Sequence, residues 1–379
     1  MTGTIVVAGL CARPLAESAR AAGWQAIALD LFGDADTRRA SLRWHRIGDP
    51  ATGAIDPALL RDALHRAARA PGILGWVAGS GFERLPEALA TRMPGLPLWG
   101  MDAAAVRAVR DPASFFPALD RLGLLHPEVS FDPPPGAEGW LAKSAAGSGG
   151  WHIRRAGDAA APAGGVYWQR IQPGEPMSAL FLADGTRARL VALNRLIVRP
   201  LGQLPYVFTG AIGPIRDEAL ARRVEQALAG LVPAFGLRGL ASLDFVLHDD
   251  QPWLLEINPR PSASMVLHEH AWPGGLLRAH LHAVQGELPP EPPSHPAGVR
   301  GCLTVFAARP CRVGLALCAE LAQSPHCHDL PAPGSYFVRG EPVCTVSSVA
   351  GDIEAVLDDL DGRAGRVLRR LSPCEELAA

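Results

Sequence analysis

The sequence predicts a protein of two or three domains, α/β at its start and α+β beyond. Three observations carry that prediction: strands and helices alternate over the first hundred residues, hairpin patterns fill the middle, and a proline-rich stretch sets off a last segment of short strands and one terminal helix. In the opening stretch TIVVAGL is an apolar strand, PLAESARAAGW an amphipathic helix, and QAIALDLF a second strand ending at Asp30, the order of a parallel βαβ unit. Residues 72–78 give another apolar strand. GSGFERLPEALA follows and places Gly79, Ser80 and Gly81 at a helix start, where free N–H groups and the positive dipole end favour an anion. A plain βα turn is the more ordinary reading; if the turn binds a ligand, Ser80 and Gly81, beside the carboxylate of Glu83, are the candidate substrate residues. They rank ahead of Cys11 and Arg13, whose turn GLCARP lacks the GxGxxG pattern of dinucleotide sites.

The second region opens with the helix MDAAAVRAVR, stopped by Asp111 and Pro112, and a second helix over 113–122. A loop at Pro133, Pro134 and Pro135 leads to WLAKSAA as a strand, SAAGSGG as a loop and WHIRRA as the returning strand. Next come VYWQRIQ, a Pro and Gly turn, and a hairpin turning at Asp184 and Gly185, so this region's sheet reads as antiparallel. Lys143 is the chain's one lysine, against 35 arginines, and it stands directly before the most glycine-dense loop. A compact ammonium beside amides freed by Gly147, Gly149 and Gly150, with Ser148 among them, is a phosphate contact in form. Clusters of Gly, Ser and Ala also make ordinary turns, so the loop alone leaves both readings open.

The strongest chemical signal is LASLDFVLHDDQPWLLEINPR. With a turn centred on Asp250, Asp244 lies opposite Glu256, and the two-residue period puts Asn258 and Arg260 on the same face. Apposed carboxylates repel unless a cation neutralises them. An all-oxygen set of Asp244, Glu256 and Asn258 suits Mg2+, with Mn2+ as the alternative, held between protein and phosphates, and Arg260 is the anion contact beside it.

Composition narrows the function classes. A formal charge of −2 gives no polyelectrolyte signature for nucleic acid, which leaves small molecules as the expected partners. No apolar run approaches the ~20 residues that cross a membrane, and no basic leader opens the chain, so a cytoplasmic location is expected. Seven cysteines without a CxxC read as reduced thiols. A homo-oligomer stays open.

Lys143 with SAAGSGG, the hinge WQRIQPGEPMS, and LDFVL followed by LLEINPR resemble, in that order, the ATP-grasp superfamily. The resemblance implies three parts: a Rossmann-like domain over 1–100, an ATP-grasp core over 101–290 that binds nucleotide and metal, and a small C-terminal α+β domain over 296–379. It implies that ATP lies between two sheets, that Lys143 and the loop hold its phosphates, and that Trp168, Gln169, Arg170 and Ile171 contact adenine as the hinge. It further implies a ligase in which a carboxylate attacks the γ-phosphate and an amine captures the acyl phosphate, with Lys143 and Arg260 catalytic.

Two places depart from the family pattern. Pro176 stands where many members have a ribose-holding glutamate, leaving Glu175, one residue earlier, as the candidate. Pro112 stands where a second basic residue is expected, leaving Arg110 or Arg107 to substitute. LNRLIVRPLGQLPYVFTGAIGP is the expected acceptor lining, with Arg195 and Arg199 as carboxylate ligands and Tyr206 and Phe208 as apolar contacts. His268 with His270, and His326, Cys327 and His328 together, imitate metal sites but read more readily as structural residues. DLFGDADTR, AGSGFE, PGEPMSALF and DLPAPGSYFVRGEPVCTV are similar to a subgroup linked to methanopterin and methanofuran cofactors, which implies glutamate joined to an amine such as tyramine. A carboxylase or kinase on the same nucleotide site, and a nucleotide sensor without turnover, are the competing classes.

Overall fold

The computed structural model describes residues 3–158, 165–292 and 297–373. Part of the proline-rich linker, residues 293–296, and Cys374 lie outside the described residues. The N-terminal sheet is parallel throughout, in the order Arg43–Arg46, Gln25–Asp30, Thr4–Ala8, Ile73–Ala78. Alternation decides its faces. Ile5 and Val7 pack with Leu15 and Ala16 of the helix Arg13–Ala21, while Val6 and Ala8 pack with Leu60 and Ala63 of the helix Pro57–Ala67. The strand ends after Ala8 and Ala78 therefore point toward the rest of the molecule, the side on which parallel α/β sheets bind ligands.

A small antiparallel sheet follows, ordered Val129–Ser130, Val166–Arg170, Trp140–Ser144, Ile153–Arg155. It carries Lys143 opposite Tyr167, with the glycine loop between its two outgoing strands.

The large sheet has eight strands, in the order Gln251–Asn258, Arg238–His248, Glu175–Asp184, Ala188–Leu201, Leu204–Ile215, Val299–Phe306, Pro342–Ala350, Cys327–His328. The C-terminal segment thus extends the central sheet, pairing Gly210 with Leu303 and Ile212 with Gly301. Its own core gathers Leu303, Val305, Val343 and Val346 under Val356, Leu360 and Val367 of the helix Ile353–Arg370. One face of the central strands, with Met177, Ala179, Phe181, Leu243 and Phe245, packs against Val224, Leu228 and Leu231 of the helix Glu218–Phe235. The opposite face is apolar at Leu180, Leu182 and Leu240, which share a core with Leu276, Leu277 and Ala279 of the helix Gly275–Val284. Further along, that second face turns polar at Ser178, Asn194, Ser242 and Asp244.

The acid hairpin reaches its register by a route the sequence does not announce. Asp249 and Asp250, with φ of 48° and 59°, form a two-residue turn, so His248 pairs with Gln251 and Phe245 with Leu254. That register would set Asp244 opposite Leu255. A bulge inserts one residue there, and Asp244 pairs with Glu256 instead. The expected turn centre is corrected by half a residue and the expected acid pairing stands, because the bulge absorbs the difference. A one-residue slip would have carried Glu256 to the other face.

Candidate nucleotide and metal site

Asp244, Glu256 and Asn258 converge on one face of the hairpin, where Asn258 Nδ2 donates to Asp244 Oδ2 at 2.9 Å. Burial and the facing Glu256 push Asp244 up to about 7. Burial pushes Glu256 the same way, but Arg110, with Lys143 beside it, outweighs that and holds this carboxyl low. The pair thus divides its charge, with Glu256 ionised and Asp244 half-committed to a proton. A divalent cation would displace that proton, and an all-oxygen donor set of two carboxylates and an amide fits one.

Arg110, the last residue of the helix Ala103–Arg110, ties this pair to the glycine loop. Its Nη1 donates to Glu256 Oε2 at 2.6 Å and its Nη2 to the Gly147 carbonyl at 2.6 Å. Of the two candidate substitutes for the family's second basic residue, Arg110 is the one brought to the site. Arg107 pairs with Glu87 at the surface, 2.5 Å away.

Lys143 is buried and donates to Gln169 Oε1, two residues along the neighbouring strand and so on the same face. Burial, with help from the Arg110 charge, pulls its ammonium down to about 8 against the attraction of Glu256 and Asp244. An ammonium this stripped of water is primed for an anion. The loop itself docks on the strand Leu204–Ile215: Phe208 N–H donates to the Gly149 carbonyl at 3.0 Å. Gly150 has φ of 80°, and a Cβ there would sit 1.7 Å from the Tyr206 carbonyl oxygen, so only glycine allows the approach. Ser148 lies in the same loop, directly before the turn that begins at Gly149.

Arg260 leaves the hairpin toward the N-terminal domain, where its Nε meets Glu83 Oε1 at 2.5 Å. Glu83 is buried, and Arg260 and Arg110 keep it ionised and low despite that burial. Together with Gly79, Met101, Pro259 and His280, the pair lines a small pocket between domain and hairpin. A second small pocket lies over Arg110, Phe116, Ala145, Tyr167 and Glu256.

Several expectations are altered here. The turn Gly79–Ser80–Gly81 does not open a long helix but a three-residue 3-10 turn, Phe82–Arg84. The Gly81 N–H is taken by Glu83 Oε2 at 2.7 Å, and the Ser80 carbonyl accepts from Leu10 N–H at 2.9 Å. Gly81 thus offers no free amide to an anion, because the carboxylate of its own turn occupies it. Arg195 is paired with Glu175 at 2.6 Å, which also engages the candidate ribose ligand, and Arg199 with Asp361 at 2.7 Å. In the hinge, Gln169 is buried, Trp168 half-buried and Arg170 exposed over the Trp140 ring, with Ile171 N–H on the Gly139 carbonyl. Phe208 packs with Leu267, Ala211 and Cys302, and Tyr206 supplies the carbonyl over Gly150. His268 Nε2 meets Asn194 Oδ1 at 2.7 Å and His270 accepts from Arg300, while His328 bonds Ser347 and lies with Glu17 and Asp36, not with His326 and Cys327 as a metal trio.

Sequence reasoning missed the ion pair of Glu83 with Arg260, the Arg110 clamp, and His152, which packs beneath Gly147 and which burial holds neutral with its pKa lowered to about 4. Residues 83 and 260 are 177 apart in the chain, and no local pattern joins them.

No curated protein matches the sequence. Among solved structures, the chain resembles a biotin carboxylase from Campylobacter jejuni (14% identity, covering 97% of this chain and 91% of that one, TM-score 0.71). It also resembles an L-amino acid ligase from Bacillus licheniformis (14%, 99% of each chain, 0.69) and an N5-carboxyaminoimidazole ribonucleotide synthetase from Thermus thermophilus (18%, 100% of each chain, 0.67). Among the described residues no helix is long and apolar enough to cross a membrane. Residues 110–264, which hold Arg110, Lys143, the glycine loop and the acid hairpin, match the family model of the ATP-grasp domain, and the chain as a whole has the ATP-grasp fold.

Proposed function

We propose that the protein is an ATP-dependent ligase that joins a carboxylate to an amine and releases ADP and phosphate. The observation that supports this most is the convergence of Lys143, Arg110, the glycine loop and the Asp244, Glu256, Asn258 set on one space between two sheets. In this reading residues 1–100 form the pre-ATP-grasp domain, 101–290 the core and 296–379 the C-terminal domain.

ATP lies with adenine on the hinge 168–171 and phosphates on Lys143 and the amides of 147–150. Asp244, Glu256 and Asn258 would hold Mg2+ or Mn2+, which when bound neutralises phosphate oxygens. A substrate carboxylate oxygen bonds to the γ-phosphorus as the bond to the ADP oxygen breaks, and ADP carries the electron pair away. Arg260 faces the charge that develops. The amine nitrogen then bonds to the acyl carbon, loses a proton, and phosphate departs. The docked loop excludes water that would hydrolyse the acyl phosphate.

Similarity to the L-amino acid ligase and the subgroup resemblance favour glutamate and an amine such as tyramine, in assembly of a methanofuran-type cofactor. Similarity to biotin carboxylase favours bicarbonate as the alternative carboxylate. The test is ADP release in Mg2+ with a panel of carboxylates, glutamate and bicarbonate included, each with and without amines. Release that needs both partners and yields an amide supports the ligase. Release with bicarbonate alone indicates a carboxylase, a stable phosphorylated product a kinase, and tight ATP binding without release a sensor.

A further inference from the structure

The polar half of the large sheet does not stop at the acid pair. Glu256 pairs with Asp244, Asp244 with Ser178, and Ser178 with Asn194, one row across four strands whose side chains leave the same face. Ser178 is 2% exposed and Asn194 is 0% exposed. Yet Ser178 Oγ and Asn194 Nδ2 have no hydrogen-bond partner among the described residues. An unpaired buried polar atom destabilises the fold, and two adjacent ones beside a candidate metal site call for a partner supplied from outside the chain.

The neighbours define that partner's chemistry. Asn194 Oδ1 is already bound to His268 Nε2 at 2.7 Å, and His268 is itself buried, so the group that Asn194 offers is its NH2. Gly213 closes the other side of the same oxygen, where a Cβ would come within 2.3 Å of it. Two amide N–H donors and a rotatable hydroxyl suit an acceptor, an oxygen that carries negative charge. The arginines nominated for that role from sequence are engaged with Glu175 and Asp361.

We propose that Ser178 and Asn194 form the subsite for the carboxylate to be phosphorylated, one and two strands beyond Asp244, with His268 as the positioning residue that fixes the Asn194 amide. The placement rests on the ligase reading. A carboxylate oxygen held there lies beside the space bounded by Asp244 and Glu256, where the γ-phosphate must arrive.

The test compares Ser178→Ala, Ser178→Thr and Asn194→Asp in the full chain with two readouts. Binding of a fluorescent ADP analogue with Mg2+ checks the nucleotide site and the fold. ADP release against the carboxylate that drives the wild type, glutamate being tried first, gives KM. Nucleotide affinity within twofold of wild type is expected. KM for the carboxylate should rise tenfold or more in Asn194→Asp and severalfold in Ser178→Ala, with Ser178→Thr restoring it. If Asn194→Asp does not fold, the two Ser178 variants decide. KM within twofold in the folded donor-removing variants overturns the subsite and leaves the ligase reading standing. No carboxylate driving release from the wild type overturns both.

Discussion

Replacing Asp244 by asparagine should make the ligand-free protein more stable while abolishing its turnover. Burial and the opposing Glu256 push Asp244 up to about 7 from an ordinary 3.8. Its folded pKa is thus raised, so the folded state holds the proton more tightly. The stability tied to this group is therefore present at low pH and is lost as pH rises from about 4 to about 7. A shift of roughly 3 units corresponds to about 4 kcal/mol, and partial solvent access reduces the expected value to about 2 kcal/mol at pH 8. Asparagine keeps an oxygen to accept from Asn258, which now donates at 2.9 Å, and removes the like-charge contact. Urea unfolding of wild type and Asp244→Asn, without nucleotide and with chelator, measures the difference at pH 8 and at pH 5. The variant should lead by about 2 kcal/mol at pH 8 and by less than half of that at pH 5. Equal stability at both values, or a variant less stable at pH 8, would refute the argument that the acid pair is held at the expense of the fold.

Lys143→Ala should weaken ATP binding tenfold or more by titration calorimetry. Wild-type affinity should fall as pH rises past about 8, where this lysine loses its charge. Glu256→Gln should abolish ADP release while circular dichroism and melting stay near wild type. Gly150→Ala should prevent loop docking, since the new Cβ overlaps the Tyr206 carbonyl and φ is 80°. Its expected signature is a tenfold or greater loss of kcat with faster proteolysis within 147–151.

What the sequence made legible was local. Lys143, the glycine loop and the two acids of the hairpin lie in short patterns, and alternation over LDFVL and LLEIN places Asp244 and Glu256 on one face once a turn is chosen. The bulge at Leu255 was not legible, because Asp249 and Asp250 can be read as a turn in either of two registers. Arg110 was in view only as a substitute for a missing base. That it clamps Glu256 to the Gly147 carbonyl depends on how a helix ends against a sheet 146 residues later. Arg195 and Arg199 show the reverse case: in sequence they stand in an expected acceptor stretch without a visible partner, and in the fold Glu175 and Asp361 pair with them from other strands and helices. In a chain with 35 arginines, charge type alone says little about which ones face a ligand.

Arg110 also links the two halves of the proposed site. Without ligand the local charges nearly offset: Glu83, Glu256 and a partly protonated Asp244 stand against Lys143, Arg110 and Arg260. In the proposed reading an incoming triphosphate would upset that balance, and the guanidinium would turn to phosphate once something else neutralised Glu256. A divalent cation held by Asp244 and Glu256 would supply that neutralisation, and Arg110 would then be free of the 2.6 Å contact that now holds it. Cation and nucleotide should therefore bind with positive coupling, each tightening the other by the same factor, as linkage requires. The Gly147 carbonyl, held by the other nitrogen of the same guanidinium, would be freed in the same exchange, so loop movement follows from occupancy of the acid pair without a separate trigger.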